Sequence, residues 1–254
     1  MRRSDEHSSL PPNVCVFASY GELAAAAAAE TFRVVREALA LRPLCHIALA
    51  GGETPRGVYR TIGLDPAAQH IAWHRVHLYF GDERMVSPTD AGSNYRMAAE
   101  ELLSRIPIPE ANIHRIRGEM PAADAAMLYE EELAAIFRDA DTTFDLTYLG
   151  LGKDGHTASL FPGTEVLEER QHTVRPVYVP SLGVWRTTLT IPAINRSREI
   201  IFLVSGKDKA AVLRRLLTDG ASAAELPASH IHAGTGTLRW MLDAGAAEGL
   251  ITPP

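Results

Sequence analysis

The sequence predicts an α/β fold built on a largely parallel sheet, and three observations carry that prediction. Short apolar runs, among them VHLYF at 76–80 and EIIFLV at 199–204, alternate along the chain with segments of helical period. Four of the runs break into loops that combine glycine with charged or hydroxyl side chains. These are Gly51-Gly52-Glu53-Thr54, Gly81-Asp82-Glu83-Arg84, Gly150 to His156, and Ser205-Gly206-Lys207-Asp208-Lys209. Ligands of open α/β sheets bind outside the carboxyl ends of the strands, so the four loops are expected along one functional edge.

Taken in order, residues 14–18 form a first strand and residues 20 to about 39 a long helix. The alanine run 24–29 belongs to that helix: Ala is the best helix former, and Leu23, Ala27, Val34 and Ala38 recur at helical spacing. A strand at 46–50 runs into Gly51-Gly52-Glu53-Thr54-Pro55, where Thr54 is the expected N-cap and Pro55 the first helical residue. After the 76–80 strand, a helix from Ser93 carries Tyr95, Ala98, Ala99, Leu102, Leu103 and Ile106 as one apolar stripe. A further helix follows Pro121, with Tyr129, Leu133, Ile136 and Phe137 on one face. Strands are expected at 144–149, 173–179, 187–191 and 199–204, then a helix to about 217 with Val212, Leu213, Leu216 and Leu217 inward. A last strand at 237–242 and a short Ala-rich helix from Ala244 close the chain. With no repeat and no Pro/Ser-rich linker, residues 13–254 are expected to form a single α/β domain behind a disordered tail at 1–12.

Composition narrows the function classes. An apolar fraction of 46% with 22% charged residues allows a large core, and a net charge of −6 disfavours a general nucleic-acid or anionic-membrane partner. Two cysteines, Cys15 and Cys45, suit a reducing compartment, and the N-terminus has no apolar signal region. No apolar run approaches the ~18–20 residues of a membrane span. A cytoplasmic protein, a monomer or weak homo-oligomer, is expected.

The loops bear on several chemistries. Gly150-Leu151-Gly152-Lys153-Asp154-Gly155 has the G-x-G-x-x-G form, but Pro162-Gly163 interrupts the crossover helix a dinucleotide site needs, and Arg175 stands where an acidic residue belongs. No G-x-S-x-G elbow offers a serine nucleophile. His70 and His74 are four apart, yet Ile71 replaces the Glu of the zinc-protease helix, so no metal site is expected. What remains is a His–Asp pair, Asp154 and His156, with Asp82, Arg84 and Lys209 on neighbouring loops. A histidine near its ordinary pKa of about 6.5 takes a proton from water at neutral pH, and Arg or Lys offers charge to a phosphate or an oxyanion. The Gly51–Thr54 turn presents free backbone N–H groups to an anion, although such turns also serve as tight connections.

The motifs together resemble the 6-phosphogluconolactonase family, within the glucosamine/galactosamine-6-phosphate isomerase superfamily. The resemblance rests on the following residues: Gly51-Gly52-Glu53-Thr54-Pro55, Phe80-Gly81-Asp82-Glu83-Arg84, Ser93 to Met97, Leu149 to Gly163, Arg186 to Thr190, Ser205-Gly206 with Lys209-Ala210, and Pro227-Ala228-Ser229. Ser159-Leu160-Phe161 separates the chain from the related deaminases, which continue toward an Ala-Phe-Asn-Glu-Pro-like sequence. The resemblance implies a twisted sheet with helices on both faces, Rossmann-like, and hydrolysis of 6-phospho-D-glucono-1,5-lactone without metal or cofactor. It further implies His156 as general base, Asp154 as its orienting partner, Arg84 for substrate oxygens and Asp82 ordering the site. The phosphate would lie at Gly51, Gly52, Glu53 and Thr54, helped by Arg186 and Lys209. One departure is that the family usually has Ser where this chain has Glu53, so only the backbone N–H of Glu53 is expected to serve the phosphate. A deaminase/isomerase of the same fold and a non-catalytic sugar-phosphate sensor are the alternatives.

Overall fold

The computed structural model describes residues 10–138, 142–218 and 223–250. Seven strands form one parallel sheet: β1 (Val14–Phe17), β2 (Cys45–Leu49), β3 (Val76–Phe80), β5 (Ile113–His114), β6 (Leu146–Leu149), β9 (Glu199–Val204) and β10 (Thr237–Asp243), in the spatial order β1-β10-β9-β6-β2-β3-β5. A second, antiparallel sheet has the order β4-β8-β7, from Asp82–Arg84, Val184–Leu189 and Val174–Val179. Helices are α1 (Tyr20–Leu41), α2 (Glu53–Leu64), α3 (Asn94–Ala98, continued by a π-turn over Ala99–Leu103), α4 (Ala122–Ile136), α5 (Ile191–Asn195) and α6 (Ala210–Thr218).

The central strands are buried on both faces, as crossover helices require. In β9, Ile200, Ile201, Phe202, Leu203 and Val204 are all at most 1% exposed, each contributing about 1.5–3 kcal/mol of hydrophobic stabilisation. Two adjacent residues of β6 mark the two layers. The Tyr148 hydroxyl donates to the Ala27 carbonyl of α1 on one face, while Thr147 pairs with Ser197, just past α5, on the other. The start of α1 is a reciprocal cap: Ser19 accepts from the N–H of Glu22, and the Glu22 carboxylate accepts from the N–H of Ala18.

Sheet order places the site. From β2 the chain steps outward to β3 and β5, whereas from β6 it steps the other way to β9 and β10. The reversal opens a crevice between the carboxyl ends of β2 and β6, where such folds bind ligands.

The structure corrects several expectations. Thr54 is not the N-cap of α2; Gly52 is, at φ +105°, a conformation open to glycine at little cost, so Pro55 becomes the third helical residue. Pro55 is still tolerated, because the first turn needs no N–H partner within the helix. Among the described residues no helix follows Ala244. Asp243 instead caps a series of turns, its carboxylate accepting from the N–H of Ala246 and its carbonyl from Ala247. The strand expected at 187–191 spans Val184–Leu189, with Thr190 capping α5. β4 and β5 were not anticipated. Of the tail expected at 1–12, residues 1–9 lie outside the described ones, and Pro11 accepts from the N–H of Val14. Among the described residues no helix is long and apolar enough to cross a membrane.

Candidate active site

Beyond β6 the chain folds back on itself over Gly150–His156. The N–H of Gly152 donates to the His156 carbonyl at 2.8 Å, and the N–H of Gly155 to the Gly152 carbonyl at 3.0 Å. This reversal brings Asp154 Oδ1 to 2.5 Å from His156 Nδ1, and the same oxygen accepts from the His156 N–H at 3.2 Å. Glycine is required at 152 because a Cβ there would lie 2.0 Å from His156 Nδ1 and 2.6 Å from Asp154 Oδ1. The imidazole stacks on Phe161 with ring centroids 4.1 Å apart and 22° between planes. Partial burial alone would raise the Asp154 carboxyl, but the neighbouring His156 charge and hydrogen bonds outweigh it and hold Asp154 below its ordinary range.

At the end of β2, Gly51 and Gly52 lead into α2, so the free N–H groups of its first turn and the positive end of its dipole face the crevice. The Thr54 hydroxyl pairs with Ser205 Oγ at 2.9 Å, joining this turn to the loop after β9. Glu53 turns outward: its side chain is 86% exposed and lies 3.4 Å from Arg56. Lys209 stands at the start of α6 with Asp208 at 3.7 Å, and the same carboxylate meets Lys153 at 3.4 Å.

The antiparallel sheet supplies the third wall. Arg84 of β4 and Arg186 of β8 are direct cross-strand partners, close enough for the charge of Arg84 to act on Arg186. Arg84 donates through Nη1 to the Gly92 carbonyl, while the buried Nε of each arginine has no hydrogen-bond partner. Burial first, and the charge of Arg84 second, pull the Arg186 pKa down from its ordinary value. Two adjacent, desolvated cations with unused donors form a site that an anion would complete. Neighbouring Glu83 is otherwise engaged, its carboxylate accepting from Ser93 Oγ and the N–H groups of Arg84, Asn94 and Tyr95 at the start of α3.

These three walls enclose a cleft of about 790 Å³, lined by all ten residues singled out in the sequence: Gly51, Gly52, Glu53, Thr54, Asp82, Arg84, Asp154, His156, Arg186 and Lys209. Among the described residues no group of three or more His, Cys, Asp or Glu is arranged to hold a metal ion.

Residues 18–240 match the family model described as glucosamine-6-phosphate isomerases/6-phosphogluconolactonase. The chain belongs to that family. It is 39% identical over 247 residues to a human 6-phosphogluconolactonase, covering 96% of this chain and 95% of the relative. A Synechocystis 6-phosphogluconolactonase is 42% identical over 226 residues, covering 85% of this chain and 89% of that one. Among solved structures, the 6-phosphogluconolactonase of Trypanosoma brucei superposes with a TM-score of 0.82 at 30% identity, over 95% of this chain and 100% of that one.

Three contributors to the cleft of this family member escaped the reading of motifs as roles: Phe161 against the imidazole, and Ser159 and Asn94 around Asp82. Ser159 and Asn94 sit inside the quoted motifs, but their partners are 77 and 12 residues away, and no local spacing announces such contacts.

Proposed function

We propose that this chain is a 6-phosphogluconolactonase, hydrolysing 6-phospho-D-glucono-1,5-lactone to 6-phosphogluconate with His156 as general base. The observation that carries the reading is the pairing, in one cleft, of an Asp-oriented imidazole with two unneutralised arginines. Asp154 accepts at Nδ1, so the neutral ring carries its proton there and leaves Nε2 with a free lone pair. Nε2 takes a proton from water as that water attacks the lactone carbonyl carbon. The carbonyl oxygen becomes an oxyanion, which Arg84 stabilises. Collapse of the tetrahedral adduct breaks the bond to the ring oxygen, and this leaving oxygen takes the proton back from Nε2. The imidazole is neutral again, and the product acid ionises in water. No covalent nucleophile is needed, because the substrate is already a reactive ester.

The phosphate is assigned to the Gly51–Thr54 turn. Backbone N–H groups of Gly52, Glu53 and Thr54 face it, with charge from Lys209 and Arg186, while the outward Glu53 carboxylate avoids repelling it. The test is lactone hydrolysis above the spontaneous rate, wild type against His156→Ala. A loss in kcat of roughly 10²–10⁴-fold is expected; full kcat in the variant would refute the general-base role. Ammonia release from glucosamine 6-phosphate by the wild type would instead favour the isomerase branch named in the family description.

A further inference from the structure

We propose that the buried Asp82 carboxylate is a hub that sets the geometry of the cleft, and that Ser159 and Asn94 are positioning residues acting through it. This rests on the lactonase reading above. Both carboxylate oxygens are occupied from within the protein: Oδ2 accepts from Ser159 Oγ at 2.6 Å, and Oδ1 from Asn94 Nδ2 at 3.1 Å. Asn94 Nδ2 also donates to the Asp82 carbonyl at 2.9 Å. Asp82, Asn94 and Ser159 are 7%, 2% and 0% exposed, so these bonds form where water does not compete. A carboxylate engaged at both oxygens is committed as an acceptor, and bonds to an ionised acceptor are about twice as strong as neutral ones.

The two arms lead to different parts of the site. Ser159 stands three residues past His156 and is held a second time, its N–H donating to Thr188 Oγ1 at 3.2 Å. Between them Ala158 has φ +47°, the one non-glycine in the left-handed region among the described residues. Such a conformation persists only where its neighbours are fixed. Thr157, whose hydroxyl donates to the Gly150 carbonyl at 2.8 Å, fixes one side, and Ser159 the other. Releasing Ser159 therefore frees the segment that carries the base. Asn94 leads instead to the phosphate turn: a Cβ on Gly51 would lie 2.1 Å from Asn94 Oδ1, so the amide packs directly on that backbone. Asp82 itself belongs to β4, two residues before Arg84.

The hub thus predicts a split between two variants of buried residues. Ser159→Ala is expected to lower kcat by roughly 10–100-fold with KM within about twofold, because a misplaced base costs rate rather than affinity. Asn94→Ala is expected to raise KM, and the inhibition constant of 6-phosphogluconate, by about tenfold or more with a smaller change in kcat. Ser159→Cys, similar in size and a weaker donor, should fall between serine and alanine in kcat. The proposal is overturned if both variants lose kcat and KM alike, if Ser159→Ala keeps wild-type kcat, or if Ser159→Cys is no better than alanine.

A denaturation cycle with Ser159→Ala, Asp82→Asn and the double variant needs no catalysis. Non-additive losses support the hub, and additive ones sink it. A wild type without lactonase activity would refute the functional reading, while this cycle would still judge the hub.

Discussion

The arginines at the two ends of the parallel sheet are treated in opposite ways. At the amino end of the strands four arginines, Arg33, Arg42, Arg198 and Arg239, have acidic partners. Glu199, the first residue of β9, lies between Arg33 at 2.6 Å and Arg239 at 2.8 Å, and Glu30 bonds both arginines as well. Asp145, just before β6, accepts from Arg42 at 2.7 Å and from the His46 N–H at 2.8 Å, with Arg198 at 3.5 Å. At the carboxyl end, Arg84 and Arg186 are cross-strand partners, and among the described residues neither forms an ion pair with a carboxylate. Matched charges hold the framework; unmatched charges are the part of the structure that a substrate anion completes. The cost of leaving them unmatched is carried by the burial beneath them.

Removing an acid from the matched end should cost stability and leave catalysis alone. Asp145→Ala strands a guanidinium and a backbone N–H, and should cost about 3 kcal/mol of unfolding free energy in urea titration, with kcat/KM unchanged. Removing an unmatched cation should do the reverse. Arg186→Ala should raise KM by about 100-fold, or ~2.7 kcal/mol, while the melting temperature stays level or rises, since a desolvated like-charge neighbour has gone. A fall in melting temperature beside the rise in KM would place Arg186 in the framework.

The matched end also sets an acid limit. Burial pulls His46 down to about 4, below the ~6.5 of an unfolded chain, so folding holds it neutral. The unfolded state therefore binds more protons between those values. Stability is fully present above pH ~6.5 and declines as pH falls toward 4, by up to about 3 kcal/mol from this group. Unfolding followed at pH 7.5 and 4.5 should show the loss, and a His46→Gln variant should flatten it. Smallest of the four, Lys209→Ala should raise KM by about tenfold, an effect that shrinks with added salt; a loss confined to kcat would remove Lys209 from the phosphate.

What was legible in the chain follows the same division. VHLYF and EIIFLV define strands at the residues expected because strands buried on both faces are apolar over most of their length. The Gly-plus-charge loops identified the functional edge, since strand ends of a parallel sheet converge there. β4 was invisible: three residues, Asp82-Glu83-Arg84, carry no period, and their pairing with β8 lies about a hundred positions away. Gly52 in place of Thr54 as the cap was missed because the left-handed turn depends on how β2 meets α2, not on capping preference. His156 and Asp154 were legible because their contact is local. Ser159 and Asn94 were not, because what they support is brought to them only by the finished fold.

Gly51 and Gly152 share a property with a consequence for reading variants. At each, the space where a Cβ would sit is filled by a side chain of the site, Asn94 Oδ1 at 2.1 Å and His156 Nδ1 at 2.0 Å. An alanine at either position adds no charge and removes no functional group, yet displaces the amide or the imidazole it touches. In a survey of single substitutions these two glycines would therefore score like members of the catalytic machinery. Their intolerance would record volume rather than chemistry, and a glycine with room for a Cβ and no positive φ, such as Gly21 with its nearest atom at 3.8 Å, would give the contrasting baseline.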